Sequence, residues 1–330
     1  MPSTLDLCYP KSLSVVACPT RRTRARAMFA TTARGHAILS ARARLDRASR
    51  SARASRGAVL PRAMASSDVG PAIIVGNGRV GNALRDMGPA GDVIVKRGDP
   101  FPSEPATGPI YVCTRNDALQ SVIDWTPQSR RADLVFLQNG YLQGFLDGVG
   151  LGACTQALVY FAVAKLGEAP TDGVTDVNPE GLTAANGEHA AAFAARLANA
   201  SLACHVLDDA AFKASAFEKL IWISAFMLVG AAHPGATVGD VESTHRPEVV
   251  ALIEELVEGT GETQGVVFQE GSVDRLLAYA RAVAHFPTAV KEFEWRNGFF
   301  HGVSTSALDA GKPDPFPTHT ALLRSVGAIE

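Results

Sequence analysis

The stretch Ala72-Ile73-Ile74-Val75-Gly76-Asn77-Gly78-Arg79-Val80-Gly81 decides how the chain begins to fold. Its four apolar residues read as a buried strand, and the glycines follow with the G-x-G-x-x-G spacing of a turn that opens a helix. The first glycine permits a tight turn, the second leaves the backbone open to a pyrophosphate, and the third lets helix and strand pack closely. The helix N-terminus adds partial positive charge. The pattern points to a dinucleotide cradle, with an ordinary strand-turn-helix as the alternative.

A second apolar run, Asp92-Val93-Ile94-Val95, ends about twenty residues after Gly76, where an NAD-binding fold usually places an acid against the ribose 2′-hydroxyl. Here the chain reads Lys96-Arg97 instead. Two cations at that position would pair with the extra phosphate of NADP, so NADP(H) is the expected cofactor. Asp99 is the rival feature, because turned onto the ribose it would select NAD.

Outward from this motif, residues 1–69 have a different character. They hold twelve Arg and one Lys against Asp6, Asp46 and Asp68, with no Glu, in an Ala/Ser/Thr-rich background. That is the profile of an organelle transit peptide, with cleavage expected near Pro61-Arg62-Ala63-Met64-Ala65 and a chloroplast favoured over a mitochondrion. A basic tail for nucleic acid or anionic lipid is the weaker alternative, since the arginines are dispersed among small residues. Without this segment the chain keeps 18 basic against 30 acidic residues, a net charge near −12. Such an acidic body argues against a nucleic-acid partner. The longest apolar stretch, Leu220 to Ala232, is shorter than the about 20 residues needed to span a bilayer and reads as a buried core helix, with no membrane partner expected. Cys113, Cys154 and Cys204 are widely spaced and odd in number, and the histidines show no H-x-x-x-H or Cys/His pairing. Neither a disulfide framework nor a metal site is signalled.

From Pro71 to about Leu207 short apolar runs alternate with helix-like segments. Strands are expected at Ala72–Val75, Val93–Val95, Ile110–Cys113, Leu134–Leu137, Leu158–Ala162 and Leu202–Leu207, with a helix over Ala184–Ala200. Two strand ends carry Thr114-Arg115 and Asn139-Gly140, and ligands of parallel sheets sit beyond such carboxyl ends. After the N-cap pair Asp208-Asp209, helices are expected at Ala210–Ala232, Pro247–Gly259, Val273–Ala284 and Pro287–Phe300, with no further strand. The expected organisation is a transit peptide over 1–69, an α/β nucleotide-binding domain over 70–207 and an all-α substrate domain over 208–330. The active site falls in the cleft between the last two.

Lys219 is the most unusual residue of the helical half, because its helix is apolar around most of its circumference. Burial would lower its pKa toward neutrality and suit it to protonate an oxyanion as that forms. Pairing with Glu218 or snorkelling to solvent is the plainer alternative. Glu292 is the second candidate, on a segment read as a helix where Lys291, Glu294 and Arg296 are most simply surface residues. For Glu292 itself the plainer alternative is a solvated salt bridge.

The ordered set Gly76-Asn77-Gly78-Arg79-Val80-Gly81, Thr114-Arg115, Leu137-Gln138-Asn139-Gly140, Glu218-Lys219-Leu220 and Glu292 to Asn297-Gly298-Phe299 resembles the ketopantoate reductase family, across about 71–330. The resemblance implies a Rossmann-type parallel sheet domain, then an all-α domain of the 6-phosphogluconate dehydrogenase C-terminal type. It also implies NADPH as hydride donor to a small 2-keto acid. By the same resemblance Lys219 would protonate the keto oxygen and Glu292 would orient substrate or the lysine. Asn139 would lie near the nicotinamide, and Arg115 would replace a family lysine at the cofactor edge. The pattern departs at the substrate: Ile223 and Met227 stand where the family has asparagines, and Thr288 is the nearest counterpart of a substrate-binding serine. The reading is an NADPH-dependent reductase of a small carbonyl compound with an altered pocket. A non-catalytic NADP-binding sensor or scaffold is the alternative, and a hydroxy-acid dehydrogenase a third. Helical domains of this sort often form homodimers in related enzymes, and no exposed apolar stripe decides the matter here.

Overall fold

The computed structural model describes residues 69–330, so the expected transit peptide and its cleavage region lie outside the described residues apart from Val69. Strand β1 (Ile73–Val75) is buried on both faces, as a continuous apolar run in a parallel sheet should be. It turns through the glycine loop into α1 (Arg79–Asp86). Then follow β2 (Val93–Val95), β3 (Ile110–Val112), α2 (Leu119–Trp125), β4 (Leu134–Phe136), α3 (Gln143–Gly148), β5 (Thr155–Leu158), β6 (Ala184–Asn186), α4 (Ala190–Ala198) and β7 (His205–Val206). One sheet takes them in the order β2-β1-β3-β4-β5-β6-β7. The first five strands are mutually parallel, β6 runs antiparallel to β5, and β7 runs parallel to β6. The order reverses between β1 and β3, the switch point beyond which ligands of such sheets bind.

Three expectations for this half need correction. The strand expected at Leu158–Ala162 lies earlier, at Thr155–Leu158. Tyr160 and Phe161 owe their apolarity to cores beyond the sheet, Tyr160 among the C-terminal helices and Phe161 under the sheet. The helix expected over Ala184–Ala200 begins only at Ala190, because Ala184–Asn186 pairs with β5. Gly187, at φ +110°, separates the two; a Cβ there would meet the Thr155 Cα at 2.7 Å. The last strand is only His205–Val206.

Among the described residues every strand precedes α5 (Asp209–Ala232), and only helices follow. The carboxylate of Asp208 accepts the Ala211 amide at 2.8 Å and starts α5 as an N-cap. This 24-residue helix, roughly 36 Å long, is long and apolar enough to cross a membrane, yet 67% of its apolar window is buried inside the protein. It is hydrophobic all round because other helices surround it. These are α6 (Val238–Ser243), α7 (Arg246–Gln264), α8 (Ser272–Ala282) and α10 (Pro317–Ser325), while α9 (Asn297–Asp309) packs on α10. Of the helix expected over Pro287–Phe300 only Asn297–Phe300 forms, as the start of α9. Pro287 bridges to Thr237, Glu292 has φ +48°, and a short 3-10 turn at Phe293–Trp295 leads into α9.

One buried ion pair ties the sheet half together. The fully buried Arg196 on α4 holds both oxygens of Asp92 and also the Leu84 and Gly70 carbonyls, while Asp92 accepts the Ala72 amide at 2.8 Å. It thereby fixes the start of β1 against the start of β2.

Candidate active site

The glycine loop is built as its spacing requires. Gly76 adopts φ +111°, and a Cβ on it would lie 2.9 Å from the Cys113 carbonyl oxygen. A Cβ on Gly81 would lie 1.9 Å from the Gly76 carbonyl oxygen, so α1 can reach β1 only without a side chain there. At Gly78 a Cβ would meet nothing within 4 Å. The backbone is thus open at the one position where a phosphate has to approach. The Asn82 amide holds the turn by donating to the Asn77 and Gly78 carbonyls at 2.7 and 2.9 Å. Val80 packs on the core below the sheet. Arg79 is exposed, and its guanidinium donates to the Val163 and Ala164 carbonyls, both at 3.0 Å.

A cavity of about 770 Å³ opens beyond the carboxyl ends of β1, β2 and β3. Gly76, Asn77 and Gly78 form one wall, Lys96, Arg97 and Asp99 the second, and Thr114 and Arg115 the third. Lys96 and Arg97 are exposed, and neither has a carboxylate partner among the described residues. Asp99 turns one carboxylate oxygen onto the Lys96 amide at 2.8 Å. Arg115 pairs with Asp117 at 2.6 Å. The Thr114 hydroxyl is buried with no hydrogen-bond partner.

A smaller cavity of about 340 Å³ continues from this one, sharing Arg115 and Asp117 and reaching Glu292 and Trp295. Gly140 makes the approach possible. At φ +113° it lets the Tyr141 amide donate to the Trp295 carbonyl at 2.7 Å, where a Cβ would meet that carbonyl oxygen at 2.3 Å. Asn139 is exposed beside it, its carbonyl accepting the Asn116 amide at 3.0 Å.

Lys219 is 9% exposed and its ammonium donates to the Val159 carbonyl at 2.5 Å, 4.5 Å over the Tyr160 ring. Glu218 is not its partner, since that carboxylate is held by Arg275. Burial first, and the nearby charge of Arg296 second, push the Lys219 pKa down to about 7. Val159 directly follows the carboxyl end of β5, so the amine meets the same edge of the parallel sheet as the glycine loop, Thr114 and Asn139. Its side chain lines neither cavity described above.

Glu292 stands on a turn, and Arg296 forms an ion pair with it. The Arg296 side chain is only 13% exposed, which corrects its reading as a surface residue. Its Nε is buried without a partner, and burial lowers its pKa. The i,i+4 spacing of the two residues was a signal available in the sequence; the tie of Lys219 to Val159 and Tyr160 left none. Ile223 and Met227, one and two turns past Lys219, are buried in the helical core. Thr288 does not join Lys219. It packs on Gly230, about 16 Å further along α5, and its hydroxyl donates to the Ala236 carbonyl at 2.6 Å.

The strand order with its switch point, followed by the helices packed around α5, defines the ketopantoate reductase fold: a Rossmann-like sheet and a helical C-terminal part. Particular solved structures share it. The PanE/ApbA family ketopantoate reductase from Ralstonia eutropha JMP134 matches with a TM-score of 0.54 at 16% identity, over 78% of this chain and 99% of that one. The dimeric ketopantoate reductase from Staphylococcus aureus matches at 0.52 and 17%, over 78% and 99%. D-mandelate dehydrogenase in its ternary structure with NADH and anilino(oxo)acetate matches at 0.54 and 14%, over 78% and 97%. At such identities the likeness is one of architecture. No family model matches the sequence, and no curated protein is recognisably similar to it in sequence.

Proposed function

We propose that this chain is an NADP(H)-dependent oxidoreductase that reduces a small 2-keto acid or related carbonyl compound. Its nucleotide domain would span 70–207 and its substrate domain 208–330. The observation that carries the reading is the Lys219 ammonium, buried at the carboxyl edge of the sheet and tuned to about 7. The first cavity fits a nicotinamide dinucleotide: Gly78 is open, the Thr114 hydroxyl lacks a partner, and the free cations Lys96 and Arg97 suit a 2′-phosphate. The carboxylate of the rival Asp99 is engaged with its own turn.

When bound, the reduced cofactor supplies hydride to a carbonyl carbon. Lys219 holds the proton that the resulting alkoxide requires, and near pH 7 it is divided between its charged and neutral forms. Val159 and Tyr160 fix the ammonium, and Arg296 adds positive charge that favours an anionic oxygen. If the resemblance holds at these positions, Ile223 and Met227 offer no hydrogen bond where the family has asparagines, and the favoured substrate would carry an apolar group there. D-mandelate dehydrogenase, with its bound anilino(oxo)acetate, supports an acid of that kind. A homodimer is the proposed assembly, in line with the dimeric Staphylococcus aureus enzyme, and the arginine-rich leader supports a chloroplast location.

The decisive test is NADPH oxidation across a panel of 2-keto acids with apolar side chains, run with wild type and Lys219→Ala. Turnover lost in the variant with NADPH affinity kept is expected, as is weaker NADPH binding with unchanged NADH binding in Lys96→Ala/Arg97→Ala. A second reading, a cofactor-binding sensor, is favoured by one observation: Lys219 lines neither cavity. NADPH binding without turnover on the whole panel would establish that reading and refute the first.

A further inference from the structure

Away from this cleft, at the junction of α5, α6 and α7, three side chains from distant positions converge. His233 ends α5, His245 precedes α7, and Glu248 lies in the first turn of α7. One ligand atom from each falls within 4.8 Å of the others, and all three residues are half-buried. His233 Nε2 meets the Glu248 carboxylate at 2.6 Å. The two imidazoles stack face to face, with ring centres 3.6 Å apart and planes 11° from parallel. The ring nitrogens of His245 have no hydrogen-bond partner among the described residues.

We propose that His233, His245 and Glu248 form a binding site for a divalent transition metal, with Zn²⁺ as its ion. Two imidazoles and one carboxylate suit borderline metals such as Zn²⁺, whereas Mg²⁺ and Ca²⁺ prefer oxygen ligands throughout. Bond lengths of about 2.0–2.2 Å place ligand atoms of a tetrahedral site about 3.3 Å apart. The most distant pair therefore has to close by up to about 1.5 Å, while His233 Nε2 and the Glu248 oxygen, at 2.6 Å, have to part slightly. The parallel rings splay by rotation about χ2 so that both lone pairs point at one ion, and Glu248 yields its bond to His233 to share that ion. Half-exposure leaves the fourth position to water. Asp240 is not a ligand, since its carboxylate caps α6 by accepting both the amide and the hydroxyl of Thr237 at 2.8 Å. The bound ion would close the loop from the end of α5 to the start of α7.

Sequence spacing concealed the site, because His233 follows the end of α5 while His245 and Glu248 stand at the start of α7. The test is Zn²⁺ affinity of the full-length protein, measured by competition with a chromogenic chelator, in wild type, His245→Ala and Glu248→Gln. Loss of an outer-shell partner alone weakens metal sites about 10–100-fold, so each variant is expected to lose at least about tenfold. Co²⁺ should give the visible absorption of a four-coordinate site in wild type and lose it in both variants. Glu248→Gln preserves size and serves if His245→Ala unfolds. Unchanged affinity in either folded variant, or no competition by the wild type, overturns the proposal. So does a Co²⁺ spectrum with thiolate charge-transfer bands, which would place the ion on a cysteine.

Discussion

Replacing Lys219 with methionine separates the energetic cost of the buried amine from everything else at the site. Folding takes this group from the usual 10.5 to about 7, the direction that burial imposes on a cation. In the window between those two values the unfolded chain binds more protons than the folded one, so stability rises with pH there. Below about pH 7 the lysine is charged in both states and the full penalty, roughly 5 kcal/mol, is present. At pH 7 it remains about 4 kcal/mol, and by pH 10 it shrinks to about 1 kcal/mol. Methionine carries no charge, but it leaves the Val159 carbonyl without its donor, at a cost of about 1–3 kcal/mol at every pH. Lys219→Met is therefore expected to be more stable than the parent by roughly 1–3 kcal/mol at pH 7. That advantage should vanish by pH 10, where the parent has gained about 3–4 kcal/mol on the variant. Paired urea denaturation at the two pH values measures the difference, and all other titrations are common to both chains. A difference that does not change with pH, or one that moves the opposite way, would show the amine to be solvated and remove the basis for its role as a tuned acid.

Two further outcomes follow from the described geometry. Gly81→Ala should abolish cofactor binding and loosen α1, because its Cβ has only 1.9 Å to a backbone oxygen, while Gly78→Ala should fold normally since nothing occupies that space. Intrinsic fluorescence titration with NADPH and thermal melting distinguish the two. Arg196→Met should cost about 3–5 kcal/mol by leaving Asp92 buried and unpaired. The double change with Asp92→Asn should recover part of that loss in urea denaturation, and no recovery would mean that packing rather than charge holds β1 and β2 together.

The glycine loop and α5 were legible in the sequence because each is specified locally. Gly76 and Gly81 are demanded by contacts within the turn and its adjoining strands, and Asp208 marks the start of an unbroken apolar run. The elements that differ from expectation are governed by distant partners. Ala184 and Ala185 have the composition of a helix but are drawn into the sheet by pairing with β5, a tertiary effect that outweighs propensity. Tyr160 and Phe161 look like strand residues yet bury themselves in two different cores. The segment before α9 is held extended by its bridge to Thr237 and docked by the Trp295 carbonyl on Tyr141, neither of which leaves a periodic trace. At the site, the burial of Lys219 follows from the apolar helix around it, whereas the placement of its ammonium on Val159 depends on the fold alone.

Arg79 gives the same neighbourhood a mechanical dimension. Its guanidinium grips the carbonyls of Val163 and Ala164, and the strip of backbone that contains them begins at Val159, the seat of the lysine. The first turn of α1 and the amine on α5 therefore hang from one short strap. Loss of the Arg79 guanidinium would accordingly free the far end of the segment whose near end, the Val159 carbonyl, holds the lysine.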